Sequence, residues 1–404
     1  MKKLTMEQAQ AMMAENGGNL TLKKARYRVL PDGLTVPGTL DLRTARLREL
    51  PENLTVQGDL LLSGTGIRSL PASLRVGGSL NLRGSQIRSL PDNFTVGGYL
   101  NLSCTPIEVL PDGLTVKRWL RLDRTQVASL PENLTVGGNL ILLYPPMSQG
   151  DSLLLRDHLG LRGTRITALS ANLTVGGDLN LRGTQITTLP DNMNVGGSIY
   201  LSNTRITSLP DNLTVGGSLE LSFTQITALP ERLAVGGNLN LRGTRITTLP
   251  DHLTVGGSLD LRSTPITTLL DNLTVGGSLE LSFTQITALP ERLTVGGNLN
   301  LRGTRITTLP DTLNVGGSLD LRSTPITSLP DNLTVGGNLD LRHMQIEALP
   351  ENLTVGGVLD LRNTPITTLP ATLTVGGQIL AQDGAITAEE IERVRKPDNG
   401  LTKA

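Results

Sequence analysis

The stretch VGGSLDLRSTPITSLPDNLT, residues 315–334, decides the fold because its pattern returns at a fixed spacing along nearly the whole chain. With Leu329-Pro330 as positions 1 and 2, the unit reads L-P-D-N-L-T-V-G-G-x-L-x-L-x-x-T-x-I-T-x and is 20 residues long. Its L-x-L pair occurs in seven units from Leu20 to Leu140 and in twelve from Leu159 to Ile379, nineteen in all. A fixed period of this length predicts a repeat solenoid.

Six apolar positions in the unit, 1, 5, 7, 11, 13 and 18, indicate how the solenoid is built. Positions 11 and 13, for example Leu319 and Leu321, alternate with polar neighbours and predict a short strand with one buried face. No single unit can bury six apolar side chains alone, whereas identical units stacked in parallel register share a continuous core. The sequence therefore predicts an α/β or mostly β solenoid of about nineteen coils.

The two ends of the repeat array differ in composition from the repeat. Thr5 and Gln8 have the spacing of a helix capping box, and so do Thr387 and Glu390 near the other end. We expect an N-terminal helical cap at 1–18, a solenoid at 19–383 with an irregular coil near 143–158, and a C-terminal helical cap and tail at 384–404.

The pattern L-x-x-L-P with L-x-L-x-x-x-x-I resembles bacterial leucine-rich repeats of 20 residues, found in type III secreted effectors of the YopM and IpaH kind. The resemblance implies a horseshoe with a parallel concave sheet that binds other proteins, often in a host cell. Two departures stand out: Thr, as in Thr324, replaces the family's Asn at position 16, and Gly316 replaces its Leu at position 8. A straighter β-solenoid is the alternative, with further strands at positions 5–7 and 17–19.

Composition excludes several classes of function. Lys plus Arg equals Asp plus Glu at 36 each, so no global field favours nucleic acid or an anionic membrane. Cys104, the one cysteine, is expected to be a small, partly buried filler. The three histidines have no partner at metal-ligand or triad spacing, and the resemblance to IpaH ligases does not extend to a catalytic cysteine domain. We expect a monomer that is not an enzyme and needs no cofactor or metal.

Residues that break the repeat carry more information than those that keep it. Asp or Asn at position 12 and Arg at position 14 form outward columns that neutralise each other and predict a solvated face. Large aromatic residues beside Arg, however, are typical of binding hot spots, and they concentrate in VKRWLRLDRT, residues 116–125, and in neighbouring altered coils. The candidate partner-binding residues are Tyr99, Arg118, Trp119, Arg121, Asp123, Tyr144, His158 and Tyr200.

The sequence thus predicts a non-enzymatic scaffold that binds a partner protein on its concave face around coils 5 to 10. The N-terminus lacks the apolar run of a secretory signal. We therefore expect a cytoplasmic protein, or one delivered into a host cell by a type III-like route without signal cleavage. The alternative is a structural or surface spacer, for which coil number would matter and Trp119 would be dispensable.

Overall fold

The structure, a computed structural model, describes residues 2–23, 27–141, 166–381 and 384–386. These fall into two units, Met1–Gly217 and Ser218–Ala404. In both units a regular coil contains two short strands, one at positions 6–7 and one at positions 11–12. Each strand pairs in parallel with its equivalent in the next coil at the same register, as Leu319 pairs with Leu339. The leucine-rich-repeat solenoid that the sequence predicts is therefore confirmed.

The first unit begins with an element outside the repeat and continues with strands from successive coils. Lys2–Lys3 pairs in parallel with Tyr27–Val29, and the helix Met6–Glu15 lies between them in the chain. Its position 6–7 strands are Thr35–Val36, Thr55–Val56, Arg75–Val76, Thr95–Val96, Thr115–Val116, Thr135–Val136, Thr174–Val175, Asn194–Val195 and Thr214–Val215. Its position 11–12 strands are Leu20–Thr21, Leu40–Asp41, Leu60–Leu61, Leu80–Asn81, Leu100–Asn101, Leu120–Arg121, Leu140–Ile141, Leu179–Asn180 and Ile199–Tyr200.

The second unit repeats the same coil. Its position 6–7 strands are Ala234–Val235, Thr254–Val255, Thr274–Val275, Thr294–Val295, Asn314–Val315, Thr334–Val335, Thr354–Val355 and Thr374–Val375. Its position 11–12 strands are Leu219–Glu220, Leu239–Asn240, Leu259–Asp260, Leu279–Glu280, Leu299–Asn300, Leu319–Asp320, Leu339–Asp340, Leu359–Asp360 and Ile379–Ala381. Gly384–Ile386 follows and pairs antiparallel with Ile379–Ala381.

The core of each coil consists of the six predicted apolar positions. In one coil of the second unit, Leu319, Leu321 and Ile326 are at most 1 % exposed. Burial of each such side chain stabilises the fold by about 1.5–3 kcal/mol, and the parallel register brings each leucine over its equivalent in the next coil. The strand at positions 6–7, which the alternative prediction required, is present, while strands that overlap positions 17–19 occur only at the two ends of the array, in Tyr27–Val29 and Gly384–Ile386, and in none of the described coils between them.

The N-terminal helix has the predicted capping box. The Thr5 hydroxyl accepts a hydrogen bond from the Gln8 amide, and the Gln8 side chain accepts one from the Thr5 amide, both at 3.2 Å. Asn16 is the C-cap, and the Gly18 amide donates to the Met13 carbonyl. The C-terminal helix predicted at Thr387 and Glu390 lies outside the described residues, and the proposed domain boundaries stay a prediction.

The predicted irregular coil near 143–158 also lies outside the described residues. On either side of it, Leu140 pairs directly with Leu179, and the Leu140 amide donates to the Asp178 carbonyl at 2.8 Å. Both ladders continue across this step in register, since Thr135 pairs with Thr174. The strands of Leu140 and Leu179 are therefore direct neighbours in the stack.

Two features of the corner between the strands explain the departures from the family pattern. The Gly317 amide donates to the Gly297 carbonyl at 2.8 Å, and a Cβ on Gly336 would overlap the Gly316 carbonyl oxygen. The Gly-Gly pair is thus favoured by close approach of backbones rather than by unusual dihedral angles. At position 16, the Thr324 hydroxyl donates to the Leu321 carbonyl of its own coil at 2.7 Å and so caps a turn, and its oxygen also lies 3.8 Å from the Met344 sulfur in the next coil.

Position 15 has a left-handed backbone in every described coil, with φ between 55° and 69°. Gly and Asn adopt this conformation readily, and bulky residues rarely do. Cys104 lies at this position with φ 58° and its side chain is exposed. The prediction that Cys104 is a partly buried filler was wrong, because a left-handed corner turns the side chain away from the core.

Candidate partner-binding surface

The first unit stacks two of the predicted site residues face to face. Leu100 pairs with Leu120 in parallel register, so Tyr99 and Trp119, which precede them at position 10, lie one strand spacing apart. Their ring centroids are 4.2 Å apart and the ring planes differ by 3°. Both side chains are half-buried. The pair therefore presents a continuous aromatic surface across two coils.

This aromatic pair interrupts a hydrogen-bond ladder that runs through regular coils. There, the position 10 side chain is Asn, Asp or Ser, and its oxygen accepts a hydrogen bond from the position 10 amide of the next coil. Two examples are Asp59 to the Ser79 amide at 2.7 Å and Asn298 to the Ser318 amide at 2.7 Å. Neither Tyr99 nor Trp119 has a short side chain with such an acceptor. The coils of the aromatic pair thus lack a stabilising contact that most coils have.

The backbone corner next to Trp119 is also altered. Lys117-Arg118 replaces Gly-Gly, and both side chains are exposed. The corner still keeps its backbone bond, since the Arg118 amide donates to the Gly98 carbonyl at 3.1 Å. Two cationic side chains therefore flank the aromatic pair without disrupting the stack.

Arg121 and Asp123 form an ion pair with each other. The Arg121 Nε donates to Asp123 Oδ1, and the side chains are 20 % and 3 % exposed respectively. Asp123 is thus nearly inaccessible, while part of the Arg121 guanidinium remains at the surface. The carboxylate therefore holds the guanidinium on the strand face.

The environment of Tyr99 keeps its hydroxyl protonated. Burial raises the pKa of the Tyr99 hydroxyl, the Asp59 carboxylate raises it further, and Arg43 opposes both. A neutral phenol at physiological pH can donate one hydrogen bond and accept another. The aromatic pair therefore offers an apolar surface with a polar edge.

The remaining predicted residues lie apart from this pair or outside the described chain. Tyr200 is at position 12, three coil steps beyond Trp119, which corresponds to about 14 Å. Its ring lies under the Arg182 guanidinium, 4.4 Å from the ring centroid. Tyr144 and His158 lie outside the described residues. We define the aromatic patch as Tyr99, Trp119, Arg118 and Arg121, with Tyr200 as a separate aromatic contact on the same sheet face.

In the coils of the second unit from Asp320 to Arg362 the same face is a neutralised ladder of charges, as the sequence predicts. Arg322 contacts Asp320 at 2.5 Å within its coil and Asp340 at 3.1 Å in the next coil. Arg342 repeats the arrangement with Asp340 and Asp360. Such partly exposed pairs contribute little each, but the alternation cancels repulsion between like charges in the columns.

Sequence reasoning missed two phenylalanines in the second unit. Phe223 and Phe283 occupy position 15, where most other coils have Gly, Ser or Asn, and the two residues are 50 % and 55 % exposed. The chain has three phenylalanines, and two of them at one turn position was the signal that could have found them.

No group of three His, Cys, Asp or Glu side chains that could hold a metal ion occurs in the described ranges. Within the same ranges, no helix is long and apolar enough to cross a membrane. The expected absence of catalysis, cofactors and metals stays a prediction.

The fold and this surface define a class: a parallel solenoid of leucine-rich coils with an aromatic patch on its strand face. No protein-family model and no curated protein matches the chain. Solved structures similar to it include YopM from Yersinia enterocolitica, with 16 % identity over 92 % of this chain and 93 % of that one, TM-score 0.41. YopM from Yersinia pestis has 19 % identity over 91 % of each chain, TM-score 0.40. A leucine-rich-repeat protein from Leptospira interrogans has 20 % identity over 81 % and 95 %, TM-score 0.38.

These similarities concern the repeat fold and extend no further. The assignment of the fold rests on the coils themselves, on their buried positions, their strand register and their turns. The proposals for partner and role below are therefore based on the residues of this chain.

Proposed function

We propose that the chain is a non-enzymatic scaffold that binds a partner protein through the aromatic patch. The observation that carries the proposal is the exchange of two ladder residues for a stacked Tyr99–Trp119 pair. Ser or Asn at these positions would add a hydrogen bond between coils, whereas the aromatic pair gives contact area at low entropic cost. A structural spacer gains nothing from that exchange, because its function would depend on the array alone.

The chemistry of the patch indicates the kind of partner surface. Stacked aromatic rings beside guanidinium groups favour an apolar protein surface rimmed by carboxylates or carbonyl oxygens. Lys117 and Arg118 add positive charge at the edge and steer an acidic partner. The Tyr99 hydroxyl can form a hydrogen bond with the partner and so fix the orientation in which it binds.

The test compares partner capture by matched variants. In the double variant Tyr99→Ser and Trp119→Ser, both positions receive the residue found in regular coils such as those of Ser79 and Ser198, so we expect a folded solenoid. The matched control is Asn298→Ser, which also places Ser at position 10 but does so in a regular coil. We expect the double variant to lose captured protein from lysates of the producing cell or a host cell and the control to keep it. Equal capture by both variants would refute the aromatic patch and favour a spacer.

The place of action is a separate part of the proposal. The resemblance of the repeat to those of type III effectors implies delivery into a host cell, and one of the similar structures is described as a leucine-rich effector protein. Fractionation of an infected culture into bacterial cytoplasm, medium and host cell decides this part. Protein found only in bacterial cytoplasm would contradict an effector role and leave the aromatic patch untouched.

A further inference from the structure

Phe223 and Phe283 are large apolar side chains in a backbone conformation that disfavours them. Their φ angles are 58° and 60°, whereas Gly243 and Gly303 hold the same position in the following coils. Both residues are about half exposed. Bulky residues held in the left-handed region, with an apolar ring in water, are uncommon in a purely structural turn.

Each ring packs against a glycine of the next coil. A Cβ added to Gly243 would lie 2.7 Å from Cδ1 of Phe223, and one added to Gly303 would lie 2.8 Å from Cδ1 of Phe283. The absence of a side chain at these glycines thus makes room for the ring. The pairing of Phe with Gly one coil later fixes an aromatic platform against the solenoid surface.

Each platform has one arginine above it that is not engaged by a carboxylate. The guanidinium carbons of Arg242 and Arg302 lie 5.6 Å and 5.8 Å from the centroids of Phe223 and Phe283. Among the described residues, no carboxylate oxygen lies within 4.0 Å of either guanidinium.

Position 12 explains why these arginines lack an ion pair. In coils with Asp at this position, Arg two residues later folds back onto it, as Arg262 does on Asp260 at 2.5 Å. In the coils of Arg242 and Arg302, position 12 is Asn240 or Asn300. The side-chain oxygen of each asparagine accepts a hydrogen bond only from the backbone amide of the arginine two residues later, at 3.0 and 3.1 Å. The guanidinium charge therefore stays available to a ligand.

A surface cleft lies beside the Phe283 platform and reaches Arg242, the arginine of the other platform. It has a volume of about 230 Å³ and lies between the coils of Arg242 and Arg322, with Phe283 and Arg302 on its wall. The other two arginines at the cleft, Arg262 and Arg322, are paired with Asp260 and Asp320. The cleft therefore combines an apolar ring with two uncompensated positive charges among neutralised pairs.

We propose that this surface, the double platform, is a second binding site that takes an extended acidic peptide with apolar side chains. Phe223 and Phe283 are three coil steps apart, about 14 Å, which is the span of about four residues of extended chain. An extended peptide running along the stack places residues i, i+2 and i+4 on one side. The motif apolar-x-acidic-x-apolar-x-acidic would therefore set each apolar side chain on a ring and each carboxylate on an arginine.

A single-stranded nucleic acid is the other polymer that uses aromatic and cationic contacts. It fits less well, because a strand carries a phosphate at every nucleotide, whereas the double platform offers one uncompensated arginine about every 14 Å. The Glu280 carboxylate, in the coil of Phe283, would repel the further phosphates that a strand carries between the two arginines.

The experiment measures binding of the peptide Leu-Ser-Asp-Ser-Leu-Ser-Asp amide, with fluorescein attached to its N-terminal amine, to the full chain by fluorescence anisotropy. Phe223→Gly with Phe283→Gly should weaken binding by at least about tenfold. Glycine is native at this position in sibling coils, so the variant keeps its fold, which circular dichroism checks. His343→Gly with Asn363→Gly makes the same kind of change at position 15 of coils outside the double platform and should leave the dissociation constant unaltered.

Arg242→Ser with Arg302→Ser, and a peptide with Asn for Asp, test the charge and should each weaken binding about tenfold. Absence of wild-type binding at about 1 mM peptide, or equal binding by the phenylalanine variant and its control, overturns the proposal. Tighter binding of a thymidine dodecamer with the same dependence on Phe283 also overturns it and assigns the surface to nucleic acid. Capture dependent on Trp119 is independent of all these results, so the aromatic patch and the double platform succeed or fail separately.

Discussion

Two adjacent coils of the first unit have opposite hydrogen-bonding outcomes at position 16. The Thr105 hydroxyl is buried and donates to the Leu102 carbonyl at 2.6 Å. Ser85, one coil earlier, is completely buried, and its hydroxyl oxygen has no hydrogen-bond partner among the described residues. The same substitution by alanine at the two sites should therefore change stability in opposite directions.

Thr105→Ala removes a net hydrogen bond that contributes about 1 kcal/mol and a buried methyl that contributes about 0.8 kcal/mol. We expect it to lower the free energy of unfolding by about 2 kcal/mol. Ser85→Ala removes a desolvated, unpaired hydroxyl, whose burial costs about 1–3 kcal/mol, and should raise the free energy of unfolding by about 1 kcal/mol. Ala45 shows that the position accepts alanine.

Urea titration followed by far-ultraviolet circular dichroism measures both variants against the wild type in the same transition. Thr105→Ser is the control, since it keeps the donor and loses only the methyl, about 0.8 kcal/mol. If Ser85→Ala destabilised the protein as much as Thr105→Ala, position 16 would act through packing volume and the hydrogen-bond account of this turn would be wrong.

Two further predictions concern charge and backbone packing. The Arg43 side chain hydrogen-bonds to Asp41 and holds the pKa of that carboxyl below its usual value, and burial opposes this shift. The contribution of this ion pair to the free energy of unfolding is therefore complete above about pH 4 and is lost as pH falls through the lowered pKa. Wild type should therefore lose more stability than Asp41→Asn between about pH 4 and 2, measured by denaturation at each pH, and parallel losses would contradict this. Gly336→Ala places a methyl against the Gly316 carbonyl and should cost about 3 kcal/mol, whereas Gly84→Ala, with φ 64° and open space, should cost about 1 kcal/mol. Equal thermal shifts would show that close approach does not set the corner.

The sequence was sufficient to predict the core and the strands, because Leu and Ile at fixed positions of each unit are buried when identical units stack in parallel register. Leu319 and Leu321 alternate with polar residues, and this alternation alone defines the strand face. The N-terminal cap was equally predictable, since Thr5 and Gln8 satisfy each other locally.

The features that the sequence did not reveal depend on contacts between coils. That the Gly-Gly pair avoids a clash, and that Thr at position 16 bonds within its own coil, follow from backbone distances that a repeat pattern does not contain. The polar ladder between coils lies at position 10. The structure thus shows that Tyr99 and Trp119 replace side chains that would hydrogen-bond the next coil, which the amino-acid composition of the patch does not reveal.

Phe223 and Phe283 were missed for a related reason. Position 15 is variable in the repeat and has no apolar pattern, and the left-handed backbone that makes an aromatic residue unusual there becomes visible only in the structure. The ion pair that leaves Asp123 nearly inaccessible is another result of packing, because position 14 points outward in the repeat pattern and is covered here by Arg121.

The claim that function resides in altered coils is tested most directly by photo-crosslinking from a single residue. Benzoylphenylalanine placed at Trp119 retains an aromatic ring in the patch, and the same residue placed at Ser278 probes position 10 of a regular coil. Irradiation in cell lysate should join one distinct protein species to the chain from position 119 and none from position 278. Crosslinks of equal yield and identity from both positions, or none from position 119, would contradict the account.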